Sequence, residues 1–343
     1  GTYTKGAGTF SFNGGVAQNL TSAANNLGAL SVTTASTDVR LQDGLTVDSL
    51  SISTAGAKMS LGANSLTVSA GKLLHDQGAV TAGSLTISGT GTYDASAALA
   101  GTISIGAGGI TQAAAGSTLS LGQKTASSSG SVAITAGAFT EGTSSLTMTG
   151  AGTTLRVTPA RQLHDLTVTV GAGNTVSIST DDLTVGNNLL VNTGTFSTNG
   201  QNLTVSGTAT VNGTLTGSAG KLISVTGNTT VNAGGVINTN GGNFTEAANL
   251  TVNGTMTALS GGTEVITVLG AVSDTGTINL NGRTANVTGT TTVTAPGVLS
   301  LGDGVSPTGG GVYTCGGVTS VTGIINLQSG QYTGSGATTI TGT

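Results

Sequence analysis

Short runs that alternate apolar and hydroxyl side chains occur along almost the whole chain. The runs "LTV" at Leu183 and Leu203 and "ATV" at Ala209 are typical. In such a run the first and third side chains point to one side of a strand and the middle one to the other. Gly, Asn and Ser separate the runs, and no apolar spacing of 3.6 residues lasts beyond one turn. The pattern therefore predicts an all-β chain of short strands and tight turns.

The strand-like runs recur with a period near 20 residues. This period is visible in the Val-Asn pairs, which begin at Val191, Val211, Val231 and Val252. It is also visible in the "MSLG" string at Met59 and the "LSLG" strings at Leu119 and Leu299, which are separated by multiples of 20 residues. A period of this length built from strands and turns is typical of a solenoid. Three runs fit in each period, so the sequence predicts a three-sided parallel β-helix with about 20 residues per coil. Strand twist and the crossover rule predict that it is right-handed.

The repeats extend over residues 1–343 and predict a single β-helix without a domain boundary. It would contain roughly 17 coils, which gives a rod on the order of 80 Å long. Residues 89–140 are richer in Ala, Gly and Ser, so less regular coils are expected there. The segment "GDGVSPTGGG" interrupts the rhythm and predicts a loop at about 302–311, before the last coils.

The asparagine of each Val-Asn pair falls where the chain must turn, and Asn tolerates the backbone conformations that corners need. Residues one period apart lie above one another in a solenoid. The sequence therefore predicts a structural ladder of side-chain amides, hydrogen-bonded along the axis, at Asn192, Asn212, Asn232 and Asn253.

Composition excludes several classes of protein. Charged residues make up 6% of the chain, against about 25% in ordinary globular proteins, yet the hydrophobic fraction of 36% is too high for a disordered chain. The nine Lys and Arg are scattered, so no nucleic-acid-binding stripe is expected. No apolar run is long enough for a membrane helix. The chain begins with Gly and carries no signal pattern, so we expect a processed product or a fragment.

Few residues are candidates for chemistry. The two histidines both precede aspartate, as His75–Asp76 and His164–Asp165, and a His–Asp couple is one part of a catalytic triad. Neighbouring strand residues face opposite sides, however, so neither pair is expected to hydrogen-bond as a triad requires. Cys315 is the only cysteine; we expect a small, inert, buried residue, with an intermolecular bridge as the alternative.

Carboxylates matter because β-helix enzymes that cleave polysaccharides need two or three acids on one face. Asp181, Asp182 and Glu246 are the best candidates, but no other acid lies one period away from them. No calcium-binding nonapeptide occurs. We therefore expect no catalytic residue, no metal and no cofactor, and predict that the chain is not an enzyme.

Two further motifs have ordinary explanations. Aligned on one flat face, Thr-x-Thr pairs would resemble the ice-binding surface of β-helical antifreeze proteins, but threonine is common in strands and the pairs do not recur coil after coil. They occur at Thr208–Thr210, Thr214–Thr216, Thr255–Thr257 and Thr292–Thr294. An Asn- and Thr-rich repeat also generates glycosylation sequons by chance, as at Asn202, Asn228, Asn243 and Asn249.

The units "LTVxG", "TVNG" and "VNAGG" resemble the low-charge strand repeats of bacterial surface and secreted proteins, including autotransporter passengers and filamentous-haemagglutinin-type adhesins. The resemblance covers most of the chain and implies an exported right-handed parallel β-helix that acts in adhesion or as a fibre. No translocator barrel or secretion module is recognisable in the sequence.

The predicted function is that of a non-catalytic, extracellular, structural or filament-forming subunit. An adhesin passenger segment of a larger surface protein and a polysaccharide-cleaving enzyme are the alternatives. The ends, "GTYTKGAGTFSFNGG" and "GSGATTITGT", are strand-like and carry no recognisable cap. End-to-end self-association is therefore the expected partnership, with surface glycans or host matrix as other partners and no nucleic acid or membrane span.

Overall fold

The computed structural model describes residues 7–23, 25–54, 56–68, 72–75, 77–96, 101–259, 264–302 and 310–342. These residues form 43 β-strands and no helix. The strands are parallel and stack as a β-solenoid of about 15 turns, with roughly 21 residues per turn, and three stacks fit a three-sided cross-section. The predicted fold class is confirmed, with fewer and slightly longer coils than the sequence suggested. Right-handedness stays a prediction.

The chain comprises two compact units, Gly1–Leu166 and Thr167–Thr343. In the first unit the strands are β1 (Thr9–Phe12), β2 (Ala17–Leu20), β3 (Ala29–Val32), β4 (Asp38–Leu41), β5 (Leu45–Thr46), β6 (Ser49–Ile52), β7 (Lys58–Ser60), β8 (Ser65–Val68), β9 (Lys72–His75), β10 (Gly78–Ile87), β11 (Thr92–Asp94), β12 (Gly101–Gln112), β13 (Thr118–Ser120), β14 (Thr125–Ser128), β15 (Val132–Ile134), β16 (Ala138–Thr140), β17 (Ser145–Met148) and β18 (Thr153–Val157).

Three parallel stacks make up the first unit. They are β1-β3-β6-β9-β11-β13-β16, then β2-β4-β7-β10-β12-β14-β17, and β5-β8-β10-β12-β15-β18. Strands β10 and β12 belong to two stacks because each continues through a corner, and their register shifts between Ala82 and Ser84. Of these two long strands, β12 lies within residues 89–140, where less regular coils were predicted, and β10 lies just before them. Of that stretch, residues 97–100 lie outside the described residues.

Strand β19 (Asp165–Thr169) begins in the first unit, and all later strands belong to the second. They are β20 (Thr175–Ile178), β21 (Leu183–Val185), β22 (Leu189–Thr193), β23 (Thr195–Ser197), β24 (Leu203–Val205), β25 (Ala209–Val211), β26 (Thr214–Thr216), β27 (Leu222–Val225), β28 (Thr229–Val231), β29 (Val236–Asn238), β30 (Asn243–Glu246), β31 (Leu250–Val252), β32 (Thr255–Thr257), β33 (Val265–Val268), β34 (Val272–Asp274), β35 (Thr277–Asn279), β36 (Thr284–Val287), β37 (Thr291–Val293), β38 (Val298–Ser300), β39 (Val312–Cys315), β40 (Thr319–Val321), β41 (Ile324–Asn326), β42 (Gln331–Gly334) and β43 (Thr338–Ile340).

The second unit also has three parallel stacks. They are β21-β24-β27-β30-β33-β36-β39-β42, then β22-β25-β28-β31-β34-β37-β40-β43, and β20-β23-β26-β29-β32-β35-β38-β41. Most of the loop predicted at 302–311 lies outside the described residues, which resume at residue 310. Gly302 and Gly310, on its two sides, form an isolated antiparallel bridge. The organisation as one domain stays a prediction.

The core consists of columns of apolar side chains, one residue from each turn. Leu203 and Val205 are fully buried, while Thr204 between them is exposed, as the alternation predicts. In the next turns Ile223 and Val225 occupy the same two inward positions. Burying one such side chain contributes about 1.5–3 kcal/mol, so a column several turns long is a large source of stability.

Several corners of the second unit use an Asn-Gly pair. Asn199, Asn240 and Asn281 have positive φ angles of 47–48°, and the glycine that follows each has one of 79–82°. Two successive residues with positive φ favour asparagine followed by glycine, because glycine carries no Cβ and asparagine is the side chain that best tolerates this conformation. The positive φ angles at these corners therefore explain why the sequence has Asn-Gly there.

We expect Gly83→Ala to destabilise the first unit by about 1–3 kcal/mol, because the new methyl group has no room in a packed corner. A Cβ at Gly83 would lie 2.0 Å from the backbone oxygen of Ala63. At Gly44 the nearest atom would be 3.7 Å away, so Gly44→Ala is the matched control. Urea unfolding of both variants measures the difference; equal midpoints would contradict the assignment of Gly83 to a close contact.

Candidate functional site

The predicted asparagine ladder lies at a corner of the second unit. The Asn212 side-chain amide donates to the Asn192 oxygen at 3.3 Å, and the Asn232 amide donates to the Asn212 oxygen at 2.7 Å. Asn253 differs: its side-chain oxygen accepts a bond from the Thr275 hydroxyl at 2.7 Å. Among the described residues no bond joins Asn232 to Asn253, so the fourth rung was predicted wrongly. The turn between them has one extra residue, which changes the local backbone.

At other corners an asparagine side chain accepts a hydrogen bond from the backbone of the next turn. Asn228 accepts from the N–H of Asn249 at 3.1 Å, and Asn249 from that of Ala271 at 2.8 Å. Asn202 accepts from Leu222 and Asn243 from Val265 in the same way, both at 2.8 Å. These four acceptors are the sequon asparagines named in the sequence analysis. Their side chains therefore have a structural use, independent of any glycan.

One outer surface of the second unit is a regular array that we term the hydroxyl face. It is formed by the outward side chains of β20, β23, β26, β29, β32, β35, β38 and β41, two from each strand. The first column is Thr175, Thr195, Thr214, Val236, Thr255, Thr277, Val298 and Ile324; the second is Ser177, Ser197, Thr216, Asn238, Thr257, Asn279, Ser300 and Asn326.

Every member of the first column is β-branched, and every member of the second has a hydrogen-bonding group. No charged residue occurs in either column. Except in β41, the side chains are half-buried, because each packs against its neighbours in the turns above and below. The pairings carry no register shift from β20 to β41, so the two columns continue without interruption through eight strands.

The four Thr-x-Thr pairs do not share one surface. Thr214–Thr216 and Thr255–Thr257 lie on the hydroxyl face. Thr210 and Thr292 instead point outward from β25 and β37, in a different stack. The expectation that such pairs do not recur coil after coil is confirmed: on the hydroxyl face only β26 and β32 carry Thr-x-Thr, and Val, Ile, Ser and Asn occupy equivalent positions in the other strands.

Of the candidate acids, Glu246 and Asp182 are not brought together. Glu246 lies in the interior at an inward position of β30, between Val225 and Val268 of the adjacent turns. Asp182 is on the exterior, where both its oxygens accept hydrogen bonds from Asn202. These bonds lower the pKa of Asp182. The Asp182 carboxylate therefore stabilises a corner. Glu246 and Asp182 do not form the paired acids of a glycosidase.

The two histidines differ from each other. His164 Nδ1 lies 3.0 Å from an oxygen of Asp165, so the prediction that this pair does not hydrogen-bond as a triad requires was wrong. His164 precedes strand β19, and the strict alternation of a strand does not apply to it. His75 is buried, with Nδ1 2.8 Å from the Tyr93 hydroxyl and Nε2 3.3 Å from the Gly78 carbonyl oxygen. Asp76 lies outside the described residues.

Burial lowers the pKa of His75 to about 4, so the imidazole is neutral at neutral pH. A neutral ring with the proton on Nε2 fits both contacts: Nε2–H donates to Gly78, and the Tyr93 hydroxyl donates to Nδ1. Gly101 packs against this pair, since a Cβ there would lie 3.4 Å from His75 Nε2. The contacts of His75 are those of a satisfied core residue.

A second group of interior polar residues surrounds Cys315, which is fully buried and free. The hydroxyls of Tyr313 and Thr291 are 2.9 Å apart, and Thr291 donates to the Cys315 sulfur at 3.3 Å. The thiol in turn donates to the Gly289 carbonyl oxygen at 3.4 Å. This chain of hydrogen bonds fits the expectation of a buried cysteine, and burial keeps the sulfur away from another molecule.

Glu246 and Asp274 are among the buried acids that have an oxygen without a hydrogen-bond partner. In Glu246 this is Oε2, and Oε1 accepts from the Ala248 N–H at 3.0 Å. In Asp274 it is Oδ2, and Oδ1 accepts from the Gly276 N–H at 3.0 Å. Burial raises the pKa of each to about 7, more than these hydrogen bonds lower it. Both carboxyls are thus held largely protonated in mildly acidic solution.

We expect Asn212→Ala to lower the free energy of unfolding by about 1 kcal/mol, because it removes the hydrogen bonds to Asn192 and Asn232. The control is Asn286→Ala, on the exposed side of β36, where no side-chain hydrogen bond is seen in the described part of the chain. Urea unfolding measures both. An equal effect of the two substitutions would show that the ladder adds nothing to stability.

The raised pKa values of Glu246 and Asp274 predict that the free energy of unfolding falls as pH rises. Their pKa values are about 7 when folded and near 4 when unfolded, so the full contribution is present below about pH 4 and is lost by about pH 7. Glu246→Gln removes the charge, so at pH 8 it should stabilise the protein by a few kcal/mol, on the order of 3, with little effect at pH 4. Urea midpoints at the two pH values give the comparison.

Asp182→Asn is the control of opposite sign. The folded pKa of Asp182 is lowered, so its contribution is present at neutral pH and is lost as pH falls through that value. This substitution should therefore weaken the protein at pH 8 and have less effect at pH 3. The assignment of Glu246 to the interior would be refuted by a Gln variant that gains nothing at pH 8.

No helix in the described ranges is long and apolar enough to cross a membrane. The same residues contain no group of three or more His, Cys, Asp or Glu side chains placed to hold a metal ion. Comparisons of the chain with known protein families, with curated proteins and with solved structures found no match.

Proposed function

We propose that the chain is a non-catalytic structural subunit of a bacterial cell surface, and that its solenoid turns associate end to end with those of a second copy. The observation that supports this most directly is the exposure of core positions in the first and last described turns. The other support is an exterior built from hydroxyl and amide groups instead of charges.

At one end, Phe10 of β1 occupies a column whose next members are Leu30 and Leu50. Leu30 is 2% exposed, whereas Phe10 is 48% exposed because no described turn lies beyond it. A further parallel strand would cover the ring.

The other end has the same features. Ile340 of β43 continues the column of Val293 and Val321, and it is 55% exposed where Val321 is 1% exposed. The end that carries Ile340 and the end that carries Phe10 are different surfaces. A contact between them is heterologous, so it leaves a free end of each kind and propagates as a filament.

The exterior suits a role outside the cell. The chain has 9 Lys and Arg and 13 Asp and Glu in 343 residues, so its surface responds weakly to salt and offers few sites for trypsin-like proteases. The corner amides hydrogen-bond to neighbouring turns, which gives exposed asparagines a structural use. Adhesion and catalysis have no comparable support from the described residues.

We expect purified protein to assemble with rising concentration into chains visible by electron microscopy, and Phe10→Asp or Ile340→Asp to weaken assembly by at least about tenfold. A carboxylate in an apolar contact carries a desolvation cost of that order or more. Leu269→Asp is the matched control, since Leu269 is 52% exposed but lies on an internal turn.

Mixing the two end variants sharpens the test. Each retains one intact end, so the mixture should form dimers and no longer chains, which sedimentation velocity resolves. Wild-type protein that stays monomeric at every concentration, or a Leu269→Asp variant as defective as the end variants, would show that the proposal is wrong.

A further inference from the structure

We propose that the hydroxyl face binds the surface of ice. The inference is independent of end-to-end association, because it concerns the side of the solenoid and not its ends.

The first argument is the two-dimensional repeat of the face. Neighbouring strands of a sheet lie about 4.8 Å apart, and alternate residues of one strand about 6.6 Å apart. The two columns therefore place small side chains on a rectangular grid through eight strands in unbroken register. The oxygen atoms of hexagonal ice also repeat in two perpendicular directions, at distances close to these.

The second argument is the chemistry of the two columns. Thr255 and Thr277 represent the first column, whose β-branched side chains are restricted at χ1 and so hold their methyl groups in fixed positions. The second column adds hydroxyl and amide groups. One such group contributes little to binding in water. Many in a fixed grid contribute together only when the ligand has the same repeat.

The same features disfavour other ligands. The face has no charged side chain to attract nucleic acid or an acidic polymer, and no aromatic ring on which a sugar could stack. Asn238 and Asn279 already use their side-chain oxygens to accept from the backbone of Asn240 and Asn281. A protein partner would meet a uniform, uncharged surface with nothing to fix its position along the axis.

The third argument is rigidity. Large sheets stay flat only when stacked side chains or ladders oppose the natural twist of the strands. On one side of the face is the corner that carries Asn192, Asn212 and Asn232. On the other side, Asn199 donates to the carbonyl of Ile178 at 3.1 Å, and Asn281 to that of Ala258 at 2.6 Å. Hydrogen bonds between turns thus support both edges, and a pre-ordered surface loses little entropy on binding.

The test is thermal hysteresis of the whole chain, measured by nanolitre osmometry, together with the shape of single ice crystals. Wild-type protein should delay crystal growth and produce faceted crystals. Thr255→Lys places a long charged side chain in the middle of the face and should reduce hysteresis by roughly fivefold or more, because one misfit residue lifts several rows from a rigid lattice.

The control is Thr251→Lys, on β31 of the same turn. Thr251 is outward and half-buried like Thr255 but lies in a different stack. It should keep wild-type activity. Circular dichroism and thermal unfolding check that each variant is folded, and Thr214→Lys on β26 is the second face variant in case Thr255→Lys does not fold. Crystals that grow as round discs in wild-type protein, or equal loss in the control, would overturn the proposal.

Discussion

Everything in this fold depends on the parallel register between successive turns. Backbone hydrogen bonds join each residue to its equivalents one turn below and one turn above, so side chains of one position in the repeat form a continuous column. The stability of a column depends on its members, because an apolar residue packs well on another apolar residue, whereas a polar residue needs a hydrogen-bond partner. The number of residues per turn varies without changing this register, because extra residues are accommodated at corners while the strands keep their alignment.

The polar residues of the interior follow the same constraint. Thr291 begins a strand of one turn and Cys315 ends a strand of the next, and the two are hydrogen-bonded across the corner. Thr229 and Glu246 occupy the equivalent positions three turns earlier, and the Thr229 hydroxyl lowers the pKa of the carboxyl against the larger effect of burial. Where the first residue of such a pair is Leu250, the second is Val268. In these three turns the two positions are thus both polar or both apolar.

Much of the fold could be predicted because alternation and period both act locally. The inward positions of Leu203 and Val205 follow directly from them, and so do the two hydrogen bonds of the asparagine ladder. The burial of Glu246 could be predicted by the same reasoning. In "NFTE" Glu246 and Phe244 are two residues apart and point to the same side of the strand, so a buried Phe244 implies a buried Glu246. Similar sequence strings gave less information about which stack a strand belongs to. Met59 and Leu119 begin similar strings 60 residues apart, yet they lie in different stacks, β7 and β13.

The hydroxyl face could not be found from motifs because it is a property of the register. Its rows read Thr-x-Ser, Thr-x-Thr, Val-x-Asn, Thr-x-Asn, Val-x-Ser and Ile-x-Asn, which share no literal pattern but do share a β-branched first side chain and a hydrogen-bonding second one. Each column is defined by what its members share, so the first column continues through Val236, Val298 and Ile324 as well as through its threonines. The same holds for the core. In a solenoid of this kind, chemistry resides in the repeated position and not in an individual residue, and an isolated histidine or carboxylate gives correspondingly little information about function.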